Sequence, residues 1–186
     1  LHERKLFVYV GNMGVAQRLE IFIELAESLK NNKDIGFIFV GRGSEFNNLK
    51  NSSIKKKLNN ILFFDEINSD EIQNLLKMCH VGLIALDPRH KSHNIPGKFL
   101  TYLQAGLPVL ARINPRTDLQ NLIEKEKVGT VYTGNKVDDF RILAKKLIDN
   151  EDNLKAMSDR CRALCYKMFS TNNAANKIIS SLSNFR

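Results

Sequence analysis

With 186 residues the chain is long enough for one well-buried domain and too short for two full ones. Hydrophobic residues at 43% and charged residues at 26% fit a soluble globular domain, and neither a membrane-span-length apolar run nor a signal-peptide pattern is read. A net charge of +8 points to anionic partners, but no Lys/Arg block interleaves with aromatics and tryptophan is absent, so nucleic acid is not an expected partner.

The first strand is expected at Leu6–Gly11 (LFVYVG), followed by Gly11-Asn12-Met13-Gly14 and then Gln17 and Arg18. Leu19, Phe22, Ile23 and Ala26 fall on one helical stripe that Leu29 extends. A second strand, Gly36–Gly41, runs into Gly41-Arg42-Gly43-Ser44, and a third follows at Ile61–Asp65. Asn68 with Glu71 three residues on is a capping-box-like start for a helix striped by Ile72, Leu75, Leu76 and Cys79. The fourth strand, Val81–Leu86, opens into Asp87-Pro88-Arg89-His90-Lys91. From His93 to Ala111 the chain reads HNIPGKFLTYLQAGLPVLA: a polar loop, a short helix beginning at Pro96-Gly97-Lys98, a Gly106-Leu107-Pro108 turn and a fifth strand, Pro108–Ala111. Arg112 and Arg116 come behind it, a sixth strand is expected at Gly129–Thr133, and after about residue 137 the pattern is wholly helical.

Most of these strands are continuous apolar runs rather than alternating ones, as strands covered on both faces require. Their alternation with helices predicts an α/β fold: a Rossmann-like, doubly wound parallel sheet of about six strands with helices on both faces and a helical C-terminal end. Residues 1–186 are read as a single domain. Three cysteines do not make a disulfide framework, which fits a reducing cytoplasm. Cys161 and Cys165 sit one helical turn apart, and His90 and His93 lie three apart, but nothing nearby completes a metal site with either pair.

In an open parallel sheet, ligands bind outside the carboxyl ends of the strands. Glycines and cations gather in the segments that follow them: Gly11, Gly14 and Arg18, then Arg42 between two glycines, then Lys98, Arg112 and Arg116. Glycine permits close backbone approach, and a helix start offers unpaired N–H groups and a positive dipole end, so the combination suits phosphate. Dinucleotide binding fits poorly. The first loop is G-x-x-G rather than G-x-G-x-x-G, no carboxylate ends the second strand, and there is no Walker lysine motif.

In their order and spacing, YVGNMG, FIFVGRGSEFNNL, ILFFDEINSDEIQNLLKMCHVGLIAL, PGKFLTYLQAGLPVLA and FSTNNAANKI resemble the C-terminal, nucleotide-sugar-binding domain of GT-B glycosyltransferases of the large retaining family 4. The resemblance covers nearly the whole chain. That family is marked by two glutamates eight positions apart, and here those positions hold His93 and Thr101. The Pro96-Gly97-Lys98 start is instead similar to a bacterial surface-polysaccharide branch of the family.

The resemblance implies a donor-binding domain for retaining transfer of a sugar from a nucleotide diphosphate sugar to a bacterial glycan of the O-antigen, capsule or exopolysaccharide type. Backbone groups of Gly97 to Phe99 would face the diphosphate and Lys98 would neutralise it, with Asn94, Ile95 and Pro96 in the same loop. Gly11, Asn12 and Gly14 would form the opposing loop. Thr101 would meet the ribose, the backbone near Ile67 the base, and Arg18 or Gln17 a phosphate. Arg42 reaches phosphate or sits in solvent, and His93 contacts the transferred sugar or is a loop residue.

No cofactor or metal is expected beside the nucleotide-sugar donor. The acceptor is expected to be lipid-linked and carried by an absent N-terminal domain. The enzyme would work in the cytoplasm at the inner face of the membrane, with peripheral membrane association, and the last helix would turn Ala174, Ala175, Ile178, Ile179 and Leu182 toward the missing domain. The alternatives are a non-catalytic nucleotide-binding or regulatory module and a nucleotide-sugar epimerase of related fold.

Overall fold

A computed structural model describes residues 3–87, 95–169 and 179. Six strands, β1 (Lys5–Val10), β2 (Ile35–Val40), β3 (Ile61–Phe64), β4 (Val81–Ala85), β5 (Val109–Arg112) and β6 (Gly129–Tyr132), form one sheet in the order β3-β2-β1-β4-β5-β6. Every pairing is parallel. Helices α1 (Glu20–Ser28), α2 (Phe46–Lys55), α3 (Ser69–Lys77), α4 (Gly97–Ala105), α5 (Asp118–Glu126), α6 (Val137–Ile148) and α7 (Glu151–Phe169) supply the crossovers and the C-terminal end. The expected doubly wound architecture is the observed one.

The pleat divides the core into two layers. Phe7, Tyr9, Phe37 and Phe39 turn to one face and pack with Phe22 and Ile23 of α1 and Phe140 of α6. Val8, Ile38, Val40 and Ile84 turn to the other, against Leu76 of α3, Phe99, Tyr102 and Leu103 of α4, and Cys161 and Leu164 of α7. The Asn68–Glu71 capping box is present, with the Asn68 N–H donating to Glu71 Oε2 at 3.0 Å. Cys79 and Cys161 are buried in the second layer, and desolvation pushes both thiols up to about 12.

Strand bounds differ from the sequence reading by about one residue, with a local cause. Gly11 and Gly41 lie just past β1 and β2 at φ +117° and +141°, where the chain leaves the extended region. Arg112, expected in the loop behind the fifth strand, is instead the last residue of β5 and is buried. Ala174, Ala175, Ile178 and Leu182 of the expected final stripe lie outside the described residues, while Ile179 is helical and exposed.

Candidate functional site

The strand order changes direction at the β1–β4 seam, the topological switch point at which doubly wound sheets open a crevice. The seam pairs only Phe7 with Val81 and Val8 with Gly82, whereas β1 and β2 pair along all of Lys5 to Val10. Beyond Val8 the Tyr102 hydroxyl of α4 stands in for the ladder. It accepts from the Val10 N–H at 3.0 Å and shares its one proton between the carbonyls of Val8 (3.2 Å) and Leu83 (3.3 Å). Gly82 admits the ring, since a Cβ there would lie 2.5 Å from Tyr102 Cγ.

One turn earlier on the same helix, Lys98 reaches the carboxyl end of this gap. Its Nζ lies 3.5 Å from the centroid of the Tyr9 ring, which belongs to the opposite core layer. The same Nζ lies 3.8 Å from where a Cβ on Gly11 would be. Burial of the ammonium holds the Lys98 pKa down at about 7. No acid stands in the first turn of α4, where a cation opposes the helix dipole unless an anion joins it.

The surrounding loops brace one another. Tyr9 donates its hydroxyl to the Asn12 carbonyl at 2.6 Å, and the Met13 N–H donates to Arg42 O at 2.8 Å. Gly41 and Gly43, both at positive φ, lie so close to the first loop that a Cβ on either would overlap the carbonyl of Gly11 or Met13. Gly14 is less constrained than its place in the sequence suggests. Its φ is −108°, and a Cβ there would meet only the side-chain ends of Asn12 and Gln17.

A cleft of about 390 Å³ runs between the ends of β1, β2 and β3, lined by Gly11, Asn12, Gly41, Arg42, Glu66 and Ile67, with Val10, Val40 and Ile72 as apolar surface. Arg42 Nε pairs with Glu66 Oε2 at 3.1 Å, an exposed contact of small energetic value. Ile95 is at the surface, Pro96 caps α4, and a Cβ on Gly97 would meet nothing within 4 Å, so the helix start is sterically open. The amides of Gly97 and Lys98 stand in the first turn, where the helix itself supplies no acceptor.

Phe99 corrects the expectation of three ligand-facing backbone groups: its N–H already donates to Pro96 O at 2.9 Å and its side chain is wholly core. Thr101 is half-buried, its hydroxyl donating weakly to Gly97 O at 3.4 Å. His93 and Asn94 lie outside the described residues.

Arg18 is not brought to the same cleft. It ends a 3-10 turn (Val15–Gln17) at φ +46° and, with Glu20, Glu24, Arg112 and Asn135, lines a second opening of about 390 Å³. There the Arg112 guanidinium donates to Leu86 O at 3.2 Å and Asn135 Oδ1 at 2.6 Å; burial and then the charge of Arg18 lower its pKa. The Gln17 side chain folds back to accept from the Gly14 N–H at 2.9 Å. Sequence reasoning missed Tyr9 and Tyr102, whose aromatic rings in apolar segments read simply as core.

Comparison with known proteins bears on the family and the fold. The profile of the family Glycosyl transferases group 1 matches residues 1–163. WcaI of Escherichia coli (strain K12), named as a colanic acid biosynthesis glycosyl transferase, is 30% identical over 121 residues, 65% of this chain and 30% of that protein. WbjE of Pseudomonas aeruginosa, named as a glycosyltransferase, is 23% identical over 126 residues, 68% of this chain and 31% of its own length. Among solved structures, Anabaena Alr3699/HepE in complex with UDP superposes with a TM-score of 0.80 at 15% identity, over 98% of this chain and 49% of that one. The chain thus spans about a third of the length of the curated relatives it matches.

Proposed function

The chain belongs to the glycosyl transferases group 1 family, and from that premise we propose that the β1–β4 crevice binds the diphosphate of a nucleotide-sugar donor whose sugar is passed, with retention, to a growing bacterial glycan. The observation that carries this reading is Lys98. An ammonium is held at the switch point, in the first turn of a helix without an acid, beside a glycine loop that allows close approach. An anion is the group such a place lacks.

The chemistry is mainly electrostatic. As the bond from sugar to diphosphate breaks, charge develops on the leaving phosphate. Lys98, the amides of Gly97 and Lys98 and the positive end of α4 are already aimed at that region, so little reorganisation accompanies the step. The cleft lined by Val10, Val40, Ile67 and Ile72 offers apolar surface for the base, with Arg42 at its rim. Thr101, on the next turn of α4, is the candidate for the ribose.

Front-face departure and attack, as the family resemblance implies, would give retention without a general base from this chain. A relative named for colanic acid biosynthesis supports a glycan acceptor. The acceptor, lipid-linked in this proposal, would be held by a region corresponding to the part of the longer relatives that lies outside the matched segment. Work at the inner face of the cytoplasmic membrane would then be peripheral. Among the described residues no helix is long and apolar enough to cross a membrane.

A second reading, a nucleotide-binding module without chemistry, is favoured by one observation: Thr101 stands where the family usually has a carboxylate. Thermal unfolding with UDP, GDP and ADP tests binding. A nucleotide at tenfold excess over its dissociation constant stabilises by about 1.4 kcal/mol. No stabilisation by any of the three contradicts the donor site. Stabilisation with no sugar transfer by the full-length natural protein favours the module.

A further inference from the structure

Tyr9 is fixed on every side. Its ring is buried, stacks on Phe39 at 5.7 Å between centroids, and is tied by its hydroxyl to the Asn12 carbonyl at 2.6 Å. Lys98 comes from the other face of the sheet and crosses the gap that Tyr102 props open, bringing its Nζ over this immobile ring at 3.5 Å. Among the described residues no carboxylate pairs with Lys98. A carboxylate here would hold the ammonium firmly, but it would also repel an arriving diphosphate. An aliphatic side chain would not hold the charge at all. The face of an aromatic ring attracts a cation through its quadrupole without cancelling its charge.

We propose that Tyr9 is a positioning residue for Lys98, its ring keeping the ammonium in the crevice of the free protein and releasing it to the diphosphate of an incoming ligand. The inference deepens the donor-site reading and rests on it for the identity of that diphosphate. Release has a protonic consequence. With its pKa lowered to about 7 by burial, Lys98 carries only part of its charge at neutral pH in the free protein. An anion favours the charged form, so binding draws in a proton.

The neighbouring elements do not supply this switch. On β1 the Tyr9 phenol is pushed above its usual range by burial and stays neutral. After β2, Arg42 is paired with Glu66. After β4, Asp87 is buried and its charge acts on Arg112.

The test is NMR of the domain carrying ¹³Cε-labelled lysine, with the Lys98 signal assigned by its loss in Lys98→Met. In the free protein the signal should be displaced by the Tyr9 ring current and titrate near pH 7. Tyr9→Phe should keep the displacement and Tyr9→Leu should remove it. If Tyr9→Leu does not fold, the wild-type displacement and its retention in Tyr9→Phe decide. Adding UDP should abolish the displacement and raise the titration midpoint, and UDP affinity should fall about fivefold between pH 7 and pH 8.

Absence of ring-current displacement in the free protein overturns the proposal. UDP binding that leaves the Lys98 signal and its midpoint unmoved also overturns it, while leaving the donor site standing. If none of UDP, GDP and ADP binds but inorganic pyrophosphate moves the signal, the release to an anion stands and the nucleotide reading falls. If no probe moves it, the release is overturned.

Discussion

The two ends of the β1–β4 seam are built from the same strands and treat their polar groups in opposite ways. At the amino end the seam is closed. The Leu6 N–H donates to His80 Nδ1 at 3.1 Å, the His80 N–H donates to Leu6 O at 2.9 Å, and Lys5 pairs with Glu151. At the carboxyl end a tyrosine hydroxyl replaces the ladder, and an ammonium rests on a ring instead of a carboxylate.

Size does not separate the two ends. The cleft beside His80 is about 450 Å³, against about 390 Å³ for the one beside Gly11. Ion pairing alone does not separate them either, since Lys5 pairs with Glu151 and Arg162 with Asp159 beside His80, and Arg42 pairs with Glu66 beside Gly11. The difference is Lys98, half-buried over a ring with no carboxylate paired to it among the described residues, where the amino-end cleft has only the exposed Lys155. A binding site is better recognised by the charge a fold leaves unanswered than by the volume it leaves unfilled.

The largest effect should come from closing the gap. Gly82→Ala places a methyl group against the Tyr102 ring, and overpacking of this kind costs ~1–3 kcal/mol. Denaturant unfolding should show that loss together with weaker nucleotide binding, because Tyr102 and Lys98 share α4. Next, Tyr102→Phe keeps the ring and strands the Val10 N–H, at a cost of about 1–2 kcal/mol by the same measurement.

Lys98→Met should act in the other direction on stability. The folded-state pKa of Lys98 is lowered to about 7 while the unfolded chain keeps its ordinary value, so the unfolded state binds more protons between those limits. Stability of the free domain therefore rises with pH from about 7 toward about 10. The variant should lose that rise, melt higher than wild type at pH 7, and bind nucleoside diphosphate at least tenfold more weakly, consistent with ~1.5–3 kcal/mol for a charge-assisted contact.

The smallest effect belongs to the closed end. Burial, and then the charge of Lys5, lower the His80 pKa, so the unfolded state binds the extra proton just below the ordinary histidine value. Stability should fall as pH drops below about 6.5, and His80→Asn should flatten that slope without changing nucleotide affinity. Thermal melts at pH 5.5 and 7 read it directly.

Much of this was legible in the chain. Continuous apolar runs located all six strands, and the Asn68–Glu71 pair located the start of α3. Pro96-Gly97-Lys98 marked the start of α4. Helix α2 was not legible, because FNNLKNSSIK buries only Leu49 and Ser53 and its polar composition reads as loop. The crevice was hidden for another reason. Periodicity reports which face a side chain takes, whereas Tyr9 with Lys98 and Gly82 with Tyr102 meet across the gap between strands. The same limit grouped Arg18 with Arg42 at one edge of the sheet, although they line different openings.

The central claim is that the carboxyl end of the β1–β4 seam binds the nucleotide. Titration of the ¹⁵N-labelled domain with whichever of UDP, GDP or ADP stabilises it most, followed by backbone amide shifts, tests it most directly. The largest changes should fall on Gly11, Asn12, Gly97 and Lys98, with Arg42 and Ile67 next, and Leu6, His80 and Leu107 should stay in place. Changes centred on His80, Leu107 and Arg162 with Gly97 unmoved would contradict the account.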